Sequence, residues 1–72
     1  MSAIETIKKR FEGKIFLSQE ETFKTIAISK KKYYNMLNHS EFEKLPKITF
    51  INDSIKYTVD DVIDFLRKHG VN

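Results

Sequence analysis

Four hydroxyl side chains, Ser2, Ser18, Ser29 and Thr58, punctuate a chain of 72 residues, each standing directly ahead of a stretch whose apolar residues recur at helical spacing. A Ser or Thr in that place accepts a hydrogen bond from the amide three residues on, and an acid at that third position can return one to the cap. Ser2 with Glu5, Ser18 with Glu21 and Thr58 with Asp61 all have this pairing and predict three boxes of capping side chains. The chain is thereby divided into short helices with little room between them.

Ile4, Ile7 and Phe11 make Ala3 to Glu12 an amphipathic helix, with Gly13 placed to end it. Lys14 to Leu17 is too short for a helix and is expected to be extended. A helix from about Gln19 to Ile26 turns Phe23, Ile26 and Ala27 to the core. Ala27, Ile28 and Ser29 form a tight turn, and Tyr33, Met36 and Leu37 define the buried stripe of a helix running to about Asn38. Two helices joined by three residues make a helix-turn-helix unit. His39 to Lys44 is polar, with room for one further helical turn.

Lys47 to Tyr57 carries the hairpin signal. Asn52 and Asp53 tolerate positive φ and suit a two-residue loop. That loop sets Phe50 opposite Ile55 and Ile48 opposite Tyr57, all four expected inward, with Thr49, Ile51, Ser54 and Lys56 on the other side. A slip by one residue would turn the apolar set to solvent. Thr58 then caps a helix to about His69, with Val59, Val62, Ile63 and Leu66 inward and Gly70 as terminator.

The order of elements predicts an α+β winged helix-turn-helix: helix-turn-helix, two-stranded β-hairpin wing and C-terminal helix, with an extra N-terminal helix. A chain of this length forms one domain, 1–72, and without cysteine it has neither a disulfide framework nor a thiolate metal site. No segment approaches the roughly 20 apolar residues of a membrane span, and the start of the chain has no apolar signal region, so a cytoplasmic protein is expected. Thirteen Lys and Arg against ten Asp and Glu give a net charge of +3. So mild an excess matters only where it is concentrated.

It is concentrated at the helix after Ser29, which alone among the four breaks the electrostatic rule. A helix N-terminus favours acids, each misplaced cation costing about 0.3 to 1 kcal/mol, yet Lys30, Lys31 and Lys32 follow the cap. A polyanion at that end would relieve the repulsion. A bare lysine run is ordinarily a solvated surface, but its place behind a helix-turn-helix turn favours nucleic acid. With Tyr33, Met36 and Leu37 inward, rotation of 100° per residue sends Lys31, Asn35 and Asn38 outward, with Tyr34 on one flank and Lys32 on the other. Asn suits adenine and Lys suits guanine in the major groove. Lys31, Tyr34 and Asn35 are therefore the expected base readers, Ser29, Lys30 and Lys32 the phosphate contacts, and Asn38 a further group on the same face. Lys47 and Lys56 flank the hairpin and can track the backbone.

The stretch FLSQEETFKTIAISKKKYYNML (Phe16 to Leu37) resembles the opening of the small MerR-like proteins of the phage excisionase and AlpA type, in which a Glu-rich capped helix precedes a turn, a Val-Ser pair and a basic cluster. IKYTVDDVIDFL (Ile55 to Leu66) is similar to their second half, where a basic wing strand enters an Asp-rich cap and an amphipathic helix. The resemblance implies a sequence-specific DNA-binding protein of a phage or other mobile genetic element, either a recombination directionality factor or a small transcriptional regulator. Its partners would be double-stranded DNA and an integrase or another copy of itself. The chain departs from the family at Phe23, where a small residue is usual and a rearranged helix packing is implied, and at Ala27, where glycine is usual and a turn avoiding positive φ is implied. It carries neither the dimerising coiled coil nor an effector domain of full MerR activators, so no small-molecule ligand is expected.

Other chemistry finds little support. Asp60, Asp61 and Asp64 spread around the outer face of their helix, as a cap with solvated charges would, and His39 and His69 lack a nucleophile or carboxylate partner at useful spacing. No enzyme activity, metal or cofactor is expected. The different-class alternative is a protein-interaction module that keeps the winged scaffold and binds a phage or host protein through the apolar stripe Ile4, Ile7 and Phe11. The bland expectation for that stripe is packing on the body, near Phe65.

Overall fold

The computed structural model describes residues 2–71 and shows an α+β domain with four α-helices and a three-stranded antiparallel sheet. The helices are α1 (Ala3–Arg10), α2 (Gln19–Thr25), α3 (Lys30–Asn38) and α4 (Val59–Lys68); the strands are β1 (Phe16–Leu17), β2 (Thr49–Ile51) and β3 (Ser54–Thr58); a single 3₁₀ turn spans Phe42–Lys44. Among the described residues no helix is long and apolar enough to cross a membrane.

All four helices begin at the expected hydroxyl residues. The Ser2, Ser18, Ser29 and Thr58 side chains accept from the amides of Glu5, Glu21, Lys32 and Asp61 at 3.0 to 3.1 Å. Only at α2 is the box reciprocal, with the Ser18 amide donating to Glu21 Oε1 at 3.1 Å. Glu21 is further held by Lys14 Nζ at 2.7 Å, and these donors keep its carboxyl below the usual range. A seven-residue helix is marginal on propensity alone, so this cap and the burial of Phe23 are what hold α2.

The sheet order is β1-β3-β2, so the expected two-stranded wing is corrected to three strands. Phe16 pairs with Thr58 and Leu17 with Tyr57, and the Val59 amide donates to the Ile15 carbonyl at 2.9 Å. A two-residue strand is too short to show alternation. The hairpin itself matches: Phe50 faces Ile55, and Asn52 and Asp53 both have positive φ, the geometry of a tight two-residue loop. The expectation that its four apolar residues all lie inward fails. Tyr57 is fully buried, Ile48 and Ile55 are half-buried, and Phe50 is 70% exposed, left uncovered by the described residues.

Leu17, Tyr33, Tyr57, Val62 and Thr22 are the most deeply buried side chains. At the centre the Tyr33 hydroxyl donates to Gln19 Oε1 at 3.0 Å and lies 3.0 Å from the Tyr57 hydroxyl, which joins the first residue of α2, the buried face of α3 and the middle strand. With the Tyr33 hydrogen committed to Gln19, Tyr57 is the donor between the phenols. Phe23, at the position that implied rearranged packing, is buried against the Tyr33 ring with centroids 5.4 Å apart. Helix α1 packs on α4 and buries Ile4, while Phe11 is buried just beyond the end of α1. Phe65 packs at the edge of the same core and borders a shallow cleft with Leu45, Pro46 and His69.

Two further boundaries are corrected. Helix α1 ends at Arg10 rather than Glu12, with the chain turned by Gly13 at φ 84°, and α2 ends at Thr25. Ala27 was expected to face the core in a turn free of positive φ, but it is exposed at φ 61°. The Ile28 amide reaches back to the Phe23 carbonyl at 3.0 Å, closing α2 through a left-handed residue. Alanine bears a steric cost there that glycine avoids. Ala27→Gly is expected to stabilise the protein by about 0.5 to 1 kcal/mol, read as a higher urea midpoint with unchanged slope.

Burial pushes both central phenols above the ordinary tyrosine value of 10.0, with Tyr57 adding to the shift of Tyr33 and the hydrogen bond between the two rings opposing that of Tyr57. The folded state thus keeps protons that the unfolded chain releases above that value, so their stabilising effect is complete below about pH 10 and is lost as pH rises through the folded pKa values. In an alkaline titration, two tyrosines' worth of phenolate absorbance should appear only together with loss of the circular dichroism of the fold.

Candidate nucleic-acid interface

The positively charged end of α3 is built by the turn that precedes it. Ile28 is half-buried and anchors the turn, Ser29 caps the helix, and Tyr33 and Met36 pin the opposite face in the core. Lys30, Lys31 and Lys32 are consequently all exposed in the first turn of α3, which holds no acid. The ion pairs among the described residues are Lys14 with Glu21, Lys24 with Glu20 and Lys44 with Glu41, so none neutralises this cluster. Lys30 acts on Glu20 only at longer range, where its charge helps Lys24 hold that carboxyl below its usual value.

Tyr34, Asn35 and Asn38 are exposed on the same helix, as rotation from the buried stripe requires. They divide between its flanks. Lys32 and Asn35 border a shallow depression with Ile28, Met36, Glu41 and Lys44. Tyr34 and Asn38 face the other way, into a wider groove between α3 and the hairpin, where Lys47 joins them. Leu37, expected in the core, is half-buried and forms part of the floor of this groove. The His39 ring is occupied locally, with Nδ1 2.7 Å from the Asn35 carbonyl.

Of the nine residues singled out from the sequence, Ser29, Lys30, Lys31, Lys32, Tyr34, Asn35 and Asn38 form one continuous exposed surface along α3, and Lys47 borders it across the groove. Lys56 does not join them. It pairs with Thr49 across the hairpin, so the alternation of strand side chains sets it on the face opposite Phe50 and Ile55, half-buried. Sequence reasoning missed Phe42 and Phe50, 50% and 70% exposed, as groove residues. The isolated aromatic in the polar stretch after α3 was the available signal for Phe42. Phe50 gave none, since its alternation matched that of a buried residue.

The lysines impose a cost on α3 that the other caps avoid. Lys32→Glu would place an acid at the third position behind Ser29, the arrangement that closes the box at α2, and is expected to stabilise the protein by about 0.5 to 1 kcal/mol at low salt. The gain should shrink as ionic strength rises, as followed by urea unfolding at several salt concentrations.

Comparisons of the chain with protein-family models, with curated proteins and with solved structures returned no match.

Proposed function

We propose that the protein is a winged helix-turn-helix of the small MerR-like type that binds specific sequences in double-stranded DNA for a phage or other mobile genetic element, as an excisionase-like directionality factor or a small transcriptional regulator. The observation that carries this reading is the first turn of α3: three adjacent lysines, all exposed and none paired, at a helix end held rigid by a buried tyrosine. A duplex presents phosphates that neutralise such a cluster, and an exposed helix face is the shape a major groove admits. Lys31 and Asn35 lie one helical turn apart and reach base edges, Lys30, Lys32 and Ser29 hold phosphates, and Lys47 touches the backbone beside them. Lys56, on the far face of the hairpin, contributes to the general field. The apolar stripe of α1 that a protein-interaction module would use is largely taken up against α4, which weighs against that alternative.

One small domain reads few base pairs, so neighbouring copies or an integrase would supply the remaining specificity. Four to six phosphate contacts predict a slope of log K against log salt of roughly −4 to −5. Replacing all three lysines by glutamate should abolish binding. Lys31→Ala should mainly relax sequence preference, whereas Lys30→Ala and Lys32→Ala should weaken binding to all sequences alike. Fluorescence anisotropy on duplexes selected from a random pool measures each effect. A flat salt response, or binding undiminished by the triple substitution, would sink the DNA reading.

A further inference from the structure

In this reading the duplex backbone takes up Lys47 at the groove between α3 and the hairpin, and leaves the apolar interior of the groove free. The groove is an open depression of about 810 Å³, and its walls include Tyr34, Phe42 and Phe50, three partly or largely exposed aromatic rings. Aromatic side chains exposed around one concavity are unusual on a small domain and mark a binding surface. Its polar groups are few and none is acidic. Gln19 and Asn38 supply amides and Lys47 a cation, while no carboxylate lines the groove. The Gln19 oxygen already accepts from Tyr33, which leaves its amide nitrogen as the donor that can serve the groove.

The groove also continues the lysine face. Lys30, Tyr34 and Asn38 follow one another at intervals of four along α3 and so form one row, leading from the charged first turn into the cavity. A strand whose phosphates lie on the lysines passes the mouth of the groove. The volume falls in the range of sites for small ligands, roughly 300 to 1,000 Å³, and is ample for one base with its sugar.

We infer that the groove receives one unstacked nucleobase, with its ring against Tyr34 and Phe50 and its edge near Asn38 and Gln19, from a DNA strand whose phosphates run over the α3 lysines and Lys47. This rests on the DNA-binding reading and adds a substrate class to it: duplexes with an unpaired or easily extruded base. Stacking on aromatic rings and a surrounding positive field are how proteins hold unpaired bases, and each stacked base contributes enough to change affinity about tenfold.

The test compares a fully paired duplex with one carrying a single bulged base, by anisotropy and with 2-aminopurine at the bulge. The bulged duplex is expected to bind about tenfold more tightly, with the 2-aminopurine emission quenched on binding. Phe50→Ala, at a largely exposed position and with folding checked by circular dichroism, should remove both the preference and the quenching while leaving affinity for the paired duplex unchanged. Equal affinity for the two duplexes with unaltered emission overturns the base pocket and leaves the duplex reading standing. Failure to bind either DNA removes both. Capture of an acidic amphipathic helical peptide that Phe50→Ala abolishes, without any bulge preference, assigns the groove to a protein partner and overturns the inference.

Discussion

The hydrogen-bonded trio of Gln19, Tyr33 and Tyr57 is the joint on which this small fold depends. It lies where α2, α3 and the central strand meet, and each of its members belongs to a different element. None of these elements is long enough to be stable alone. A polar contact at the centre of so small a core carries a penalty if any partner is lost, about 1 to 3 kcal/mol for a buried group left unsatisfied, and that is a large part of the stability available to 72 residues. The trio thus selects one mutual arrangement of the helix pair and the hairpin, where apolar packing alone would tolerate several. The exposed face of α3 is rigid because its buried face is bonded on both sides.

That rigidity explains how α3 can carry charge in an unfavourable place. A lysine cluster at a helix N-terminus opposes both the backbone dipole and its own members, and in an isolated peptide it would fray the first turn. Here Ser29 satisfies the Lys32 amide and Tyr33 fixes the next residue in the core, so the turn stays formed while its cations remain unpaired. Stability gained in the interior is set against strain at the surface. Such an imbalance is commonly found where a surface has work to do.

Much of this was legible in the sequence, and the successes share a cause. The caps at Ser2, Ser18, Ser29 and Thr58, the loop at Asn52 and Asp53 and the stripe on α3 are local signals, set by a few neighbouring residues. What was not legible depends on distance in the chain. The pairing of Phe16 and Leu17 with β3 is made across some forty residues by a strand too short for a pattern. Phe50 alternates like an inward residue, and it is exposed only because no distant part of the chain comes to cover it. Ala27 illustrates a different limit: the turn geometry demanded a left-handed residue, and the chain meets the demand with alanine at some cost. The division of α3 between two concavities could not be foreseen, because it depends on where the 3₁₀ turn and the hairpin come to rest beside it.

Thr58 has a part in this design beyond capping. It is the last residue of β3, paired with Phe16, and its hydroxyl also accepts the Asp61 amide that starts α4. Sheet and helix are therefore geared together with no slack. A hairpin that slid along β1 would carry the cap out of place, unwind the first turn of α4 and loosen α1, which rests on that helix. Errors of strand alignment, elsewhere often silent, would here be transmitted to the far side of the molecule, so the protein has a built-in penalty against misassembling its own hairpin.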